Sequence, residues 1–163
     1  MILIALGANL AFNGATPDQT LRDALSLLGD NGVTTLEVSP FYETPAWPNP
    51  TDPPFINAVA SVASVQGPAQ LIRTLHDVEN RFGRVRTRPN NPRTLDLDII
   101  DYHGRVEQGP PLLPHPRCAD RGFVLVPLAD VAPGWRHPVL GQTVEHLLAA
   151  LPPQDRNLKR WTA

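Results

Sequence analysis

The stretch Arg93-Thr94-Leu95-Asp96-Leu97-Asp98-Ile99-Ile100 alternates carboxylates with aliphatic side chains. Side chains of a strand point to opposite faces with period two, so Leu95, Leu97 and Ile99 face a core while Asp96 and Asp98 share the other face. Two carboxylates held that close repel each other unless something positive sits between them. A hard divalent cation such as Mg2+, which takes oxygen ligands, meets that need. The competing reading is a solvated strand face, a common arrangement. The arginines favour the metal: Arg93 stands just before the pair, and Arg84, Arg86 and Arg88 come shortly upstream. Guanidinium groups match phosphate geometry, so this grouping suggests a site for a metal and a phosphate. Asp101 breaks the alternation and reads as a turn residue.

Upstream of this strand, Gly67-Pro68 opens a helix with Leu71, Leu75, Val78 and Phe82 on one face, and Gly83 ends it. Residues 55–65 read as a strand of alternating Ala, Val and Ser, preceded by a loop at 43–54 with five prolines. Residues 33–42 are strand-like. Thr16-Pro17-Asp18-Gln19 is a helix start, with Thr at the N-cap, Pro at the first position and Gln at the third. Leu21, Ala24, Leu25 and Leu28 follow at helical spacing, and Gly29 and Gly32 end that helix. Residues 1–7 read as a short buried strand.

Downstream, Tyr102-His103-Gly104-Arg105 reads as a turn and residues 110–121 as a proline-rich loop. Residues 123–128 are apolar, with Arg121-Gly122-Phe123 at a strand entrance. Thr143 caps a last helix over 144–151, which Pro152-Pro153 stops. The order β-α-β-β-α-β plus a C-terminal extension predicts an α+β fold. Its core is ferredoxin-like, with helices packed on a mixed or antiparallel sheet. The length of 163 residues fits one domain over 1–163.

A net charge of −2 gives no general attraction to nucleic acid, so the clustered arginines read as a local anion site. The single cysteine, Cys118, excludes an internal disulfide and a cysteine-based zinc cluster, and fits a reducing cytoplasm. No apolar run is long enough to span a membrane, and no signal peptide is visible, so a cytoplasmic protein is expected. There is no Walker A motif, so side chains must do much of any phosphate binding.

Glu79 follows Leu75 by four residues, near the buried edge of its helix. It either pairs with an arginine or accepts hydrogen bonds from a ligand. Phe55 and Asn57 share one face of their strand. An aromatic for stacking and an amide with donor and acceptor can read a flat heterocycle, although a core aromatic and a loop-capping Asn have the same spacing. His115 is pinned by prolines in Leu113-Pro114-His115-Pro116 and could touch a phosphate, while a lone His is more often structural. His76, His103, His137 and His146 show no metal-ligand spacing.

Taken together these segments resemble the 6-hydroxymethyl-7,8-dihydropterin pyrophosphokinase family of folate biosynthesis. The resemblance rests on Leu6-Gly7-Ala8-Asn9-Leu10, Phe41-Tyr42-Glu43-Thr44-Pro45, Phe55-Ile56-Asn57-Ala58, Glu79 with Gly83-Arg84-Val85-Arg86, Pro92 to Ile99, and Pro114-His115-Pro116 with Arg121-Gly122-Phe123-Val124-Leu125. It implies Mg2+-dependent transfer of a pyrophosphoryl group from ATP to the pterin hydroxymethyl group, leaving AMP. By this resemblance Asp96 and Asp98 bind two Mg2+ ions, and Arg84 and Arg93 are catalytic. ATP is met by Glu79, Arg84, Arg86, Arg93, Ile99, His115 and Arg121. The pterin is met by Thr44, Pro45, Phe55, Asn57 and Phe123. The implied partners are these small molecules, with no nucleic acid or membrane, and the protein acts as a monomer. Three departures from the family pattern bear on loop closure and nucleotide affinity. The loop from Arg86 to Pro92 lacks a tryptophan, Trp47 replaces an aliphatic, and Pro110 and Leu112 stand where some members contact ATP. The rival readings are a different metal-dependent phosphoryl enzyme and a non-catalytic nucleotide- or pterin-binding module.

Overall fold

The computed structural model describes residues 1–85 and 89–163. Strand β1 (Ile2–Ala8) leads into α1 (Pro17–Asp30). The chain then forms β2 (Thr34–Val38), β3 (Tyr42–Thr44), β4 (Phe55–Ala63), α2 (Pro68–Arg81) and β5 (Asp96–Tyr102). A small hairpin, β6 (Glu107–Gln108) with β7 (Leu112–Leu113), precedes α3 (Gly122–Val131), α4 (Val144–Ala149), α5 (Pro153–Arg156) and β8 (Lys159–Arg160). The main sheet runs β5-β1-β4-β3-β8, with β2 also on β4. Each of its pairings is antiparallel. The ferredoxin-like expectation holds, and the sheet is antiparallel rather than mixed.

Both faces of β1 are buried, which is why residues 1–7 lack a polar alternation. Ile2, Ile4 and Leu6 meet Leu21, Leu28, Leu71, Leu75 and Val78 of α1 and α2 in one core. Leu3 points the other way, joining Val59 and Ile100 in a second core beneath Val124, Leu125, Leu128 and Leu147 of α3 and α4. The C-terminal extension is thus a third layer covering part of the open sheet face. The uncovered part of that face, at one end of β1, β4 and β5, is where the cleft lies.

Four local expectations need correction. Residues 33–42 are not one strand: β2 stops at Val38 and β3 starts at Tyr42. Pro40 has no N–H for the ladder, and Ser39 bridges the gap by accepting from the Val59 N–H through Oγ. Residues 123–128 belong to a helix, α3, with Pro127 inside it. Burial of the surrounding residues makes that helix apolar on nearly every side, erasing the period that marks surface helices. Thr16 makes no side-chain cap at α1 and donates instead to Asp18 at 2.6 Å. Asp101 is not a turn residue. A bulge between β1 and β5 sets Leu3 opposite Asp101 and Ile4 opposite Ile99, leaving Ile100 as the extra residue. Ile100 then packs in the second core, and buried Asp101 accepts from Trp135 Nε1 at 2.7 Å and from the Gly104 N–H at 2.8 Å.

Candidate active site

A cleft of about 830 Å³ opens on the uncovered sheet face. That volume lies toward the upper end of the about 300–1,000 Å³ typical of ligand pockets, so two small molecules fit side by side. It is lined by Thr44, Pro45, Phe55 and Asn57 on one side and by Arg84, Arg93, Asp96, Asp98, His115 and Arg121 on the other, with Phe123 at the N-terminus of α3. These are most of the residues singled out in the sequence, drawn from separate segments. Arg86 lies outside the described residues.

The period-two reading of β5 holds where it matters. Leu95, Leu97 and Ile99 pack in the first core, while Asp96 and Asp98 project into the cleft. Ile99, assigned to ATP by the resemblance, turns its side chain to the helices as the alternation predicts, while Ile100 lines the cleft. Asp96 is held from both sides. Arg84 Nη1 donates to its Oδ1 at 2.5 Å and Arg93 Nη1 to its Oδ2 at 3.0 Å. Asp98 keeps 38% of its side-chain surface exposed within the concave cleft. Its carboxyl is pushed up to about 6, first by loss of hydration and then by the charge of Asp96. A pair in which one member resists ionisation is a pair that a cation relieves. Two hard oxygen donors aimed into one cleft suit Mg2+, with phosphate oxygens and waters completing its shell. Among the described residues no group of three or more His, Cys, Asp or Glu forms a metal cluster.

Glu79 does not line the cleft. It is 1% exposed and accepts the Leu97 N–H at 2.7 Å, with Arg84 Nη1 3.2 Å from the same oxygen. Of its two sequence readings, the arginine pairing is the observed one. The role of Glu79 is to seat Arg84, which also donates to the Leu95 carbonyl at 2.9 Å.

His115 is fixed to the outer edge of β5, where its N–H donates to the Ile100 carbonyl at 2.9 Å. Its Nδ1 accepts from the Arg117 N–H at 3.1 Å, so the proton of the neutral ring sits on Nε2, which faces Asp98 at 3.8 Å. Burial, then the charge of Arg121, holds this imidazole below the usual histidine range and hence neutral at pH 7. Cys118 is buried and its thiol is pushed up to about 12 by lost hydration, so it is no nucleophile.

On the other side Asn57 is 6% exposed and donates from Nδ2 to Thr44 Oγ1 at 2.7 Å across the β3–β4 pair. A Cβ on Gly7 would stand 3.1 Å from Asn57 Oδ1, so a glycine at the end of β1 leaves that amide its room. The guanidinium of Arg93 lies 5.9 Å from the Phe55 ring, and that of Arg121 lies 5.4 Å from the Phe123 ring.

One buried residue went unread in the sequence. Asn9 Oδ1 accepts the Arg93 N–H at 2.8 Å, its own N–H donates to the Arg93 carbonyl at 3.1 Å, and its Nδ2 donates to the Pro53 carbonyl at 2.9 Å. It ties the turn after β1 to the backbone of Arg93 and to the proline loop. Its position directly after the last residue of β1 was the available signal.

The family model described as 7,8-dihydro-6-hydroxymethylpterin-pyrophosphokinase (HPPK) matches residues 3–133. A 2-amino-4-hydroxy-6-hydroxymethyldihydropteridine pyrophosphokinase from Synechocystis sp. is 36% identical over 147 residues, covering 90% of this chain and 73% of the relative. A Pseudomonas aeruginosa protein of the same name is 38% identical over 153 residues, 93% of this chain and 91% of its own length. The folic acid synthesis protein fol1 of Schizosaccharomyces pombe is 34% identical over 155 residues, and the chain spans 21% of that longer protein. Among solved structures, Plasmodium falciparum HPPK-DHPS shares the fold at a TM-score of 0.64 and 14% identity, over 90% of this chain and 40% of that one.

Proposed function

The chain belongs to the 7,8-dihydro-6-hydroxymethylpterin-pyrophosphokinase family, and we propose that the cleft described above is where it works and that the residues lining it divide the labour as follows. The activity is ATP-dependent transfer of pyrophosphate to the hydroxymethyl group of 6-hydroxymethyl-7,8-dihydropterin, a step in folate biosynthesis that yields the pterin diphosphate and AMP. The observation that carries the assignment is the meeting, in one cleft, of an aspartate pair with arginines on one side and a buried amide between two aromatics on the other.

The pterin occupies the side lined by Thr44, Pro45, Phe55, Asn57 and Phe123. Asn57 spends one Nδ2 hydrogen on Thr44, which leaves Oδ1 and the second Nδ2 hydrogen to pair with a polar ring edge. Phe55 and Phe123 stack on its faces. ATP occupies the side of Arg84, Arg93, His115 and Arg121, with its phosphates toward Asp96 and Asp98. Phosphoryl-type transfer needs the hydroxyl in line with the attacked phosphorus and the developing charge neutralised, so positioning and electrostatics do most of the work. Arg84 and Arg93, both anchored by carboxylates and carbonyls, hold guanidiniums where that charge develops. Neutral His115 donates through Nε2 to an anionic oxygen beside Asp98. Asp96 and Asp98 would hold Mg2+, two ions in this reading, and the metal would supply positive charge to offset that of the ATP phosphates. The protein works as a monomer in the cytoplasm; the buried free thiol fits the reducing conditions of that compartment.

Nucleotide product analysis with ATP, Mg2+ and the hydroxymethylpterin tests the reading. AMP formed in step with a pterin diphosphate supports it. ADP, or AMP formed without the pterin, overturns it.

A further inference from the structure

Residues 134–163 lie beyond the span matched by the family model, yet part of this extension reaches back to the cleft. Gln154, Asp155 and Leu158, from α5 and the approach to β8, line it. We propose that this segment is a fixed strap closing the acceptor side, with Leu158 a specificity-determining residue for the pterin. The inference rests on the pyrophosphokinase reading given above.

The strap is held at both ends. At one end, a Cβ on Gly122 would fall 1.6 Å from the Asp155 carbonyl oxygen. The backbone of α5 therefore sits directly on the first residue of α3, next to Phe123, and only glycine allows that approach. At the other end the Trp161 N–H donates to the Phe41 carbonyl at 2.7 Å, and the indole packs against the first core. Between these anchors β8 pairs with β3, with Tyr42 opposite Arg160 and Glu43 opposite Lys159. Leu158 directly precedes this ladder, at the end where β3 continues to Thr44, the residue whose hydroxyl accepts from Asn57.

The strap therefore runs from Thr44 to Phe123, two of the residues assigned to the pterin, and Leu158 is its half-buried apolar side chain on the cleft wall. Its backbone is tied down by ladder and turn hydrogen bonds, so the wall is present before substrate arrives. An apolar wall beside a polar amide pair is the usual division of labour in a heterocycle pocket: the amide orients the ring, and the wall excludes water and sets the allowed width.

Steady-state kinetics on full-length Leu158→Ala and Leu158→Met, with pterin varied at saturating ATP and ATP varied at saturating pterin, test the proposal. Leu158→Ala raises the pterin KM about tenfold, the scale set by loss of apolar contact in a pocket, and leaves the ATP KM unchanged. Leu158→Met, which conserves volume, restores the pterin KM. Gly122→Ala, which must displace the strap, raises the pterin KM as well. An unchanged pterin KM in Leu158→Ala, beside a wild-type protein that makes AMP from ATP and pterin, overturns the strap proposal alone. Equal rises in both KM values, with a lowered unfolding temperature, also overturn it by reducing Leu158 to a structural role. A wild-type protein that makes no AMP overturns the pyrophosphokinase reading, and the strap proposal with it.

Discussion

Removing the carboxylate of Glu79 separates two roles that the sequence left open. In Glu79→Ala the Leu97 N–H, buried in the first core, loses its acceptor at 2.7 Å. An orphaned buried donor costs about 1–3 kcal/mol. The same change removes one of the two carboxylates beside Arg84, whose side chain is 11% exposed. A buried charge left with no partner costs about 3–5 kcal/mol. Here Asp96 stays at 2.5 Å from the same guanidinium and the lost contact is a long 3.2 Å, so this second loss is held to about 1–2 kcal/mol, around the low end of the about 1.5–3 kcal/mol of a hydrogen bond to a charged group. The sum is about 2–5 kcal/mol. Glu79→Gln keeps an oxygen for the Leu97 N–H and, among the contacts of the described residues, gives up the ion pair with Arg84, a loss of about 1–2 kcal/mol. Urea unfolding followed by tryptophan fluorescence measures both, with the slope against denaturant expected to stay constant. Equal losses in the two variants, or a loss below about 1 kcal/mol in Glu79→Ala, refute the reasoning. Because Glu79 seats Arg84, Glu79→Gln also raises the KM for ATP more than that for the pterin.

Asp98→Ala abolishes turnover while leaving the unfolding temperature of the metal-free protein at or above that of wild type, because this carboxylate supports no strand or core contact and resists ionisation where it stands; near-normal activity with unchanged Mg2+ dependence would remove the metal role. Asn57→Ala raises the pterin KM by about one to two powers of ten, the cost of leaving a built polar edge unmatched, with the ATP KM unchanged; equal rises would count against its assignment. The Asp98 carboxyl, at about 6 against the ordinary aspartate value of 3.8, binds its proton more tightly folded than unfolded. The stability it contributes to the metal-free protein is therefore fully present below the unfolded value and lost as pH rises through about 6. Thermal unfolding without metal should show wild type falling behind Asp98→Asn between pH 4 and pH 7, and parallel curves would contradict the shift. Mg2+ competes with that proton, so its apparent affinity, read by titration, drops below pH 6.

The long strands and the helices with an open face were legible in the sequence, and the helix buried on nearly every side was not. β5 declared itself because its two faces meet different surroundings, and α2 because Leu71, Leu75 and Val78 recur at helical spacing. α3 did not, since Phe123 to Leu128 is apolar throughout and carries no helical period. Asp101 was misread because the bulge at Ile100 shifts the period by one residue, an event decided by pairing with β1. The site residues were found because their chemistry is unusual for their positions. Glu79 shows the limit: its spacing indicated burial, but only the approach of β5 reveals that its acceptor capacity goes to Leu97 and Arg84. The strap is invisible locally, because nothing in residues 153–160 signals a return to β3.

The pairing of Asp96 with Arg84 and Arg93 has a consequence for how ligands arrive. Glu79, Asp96 and Asp98 place three negative charges in this region, and Arg84, Arg93 and Arg121 place three positive ones, so these six groups balance at neutral pH when Asp98 is ionised. A free metal ion finds one of its two carboxylates already engaged by guanidiniums. A bare nucleotide finds its guanidiniums already engaged by a carboxylate. A nucleotide arriving with a cation would draw the arginines toward its phosphates while Asp96 and Asp98 would hold the cation, and neither would leave an unmatched charge. Each ligand therefore strengthens the other's binding by the same factor, as linkage requires. The six side chains act as a gate that answers weakly to either ligand alone and strongly to the pair.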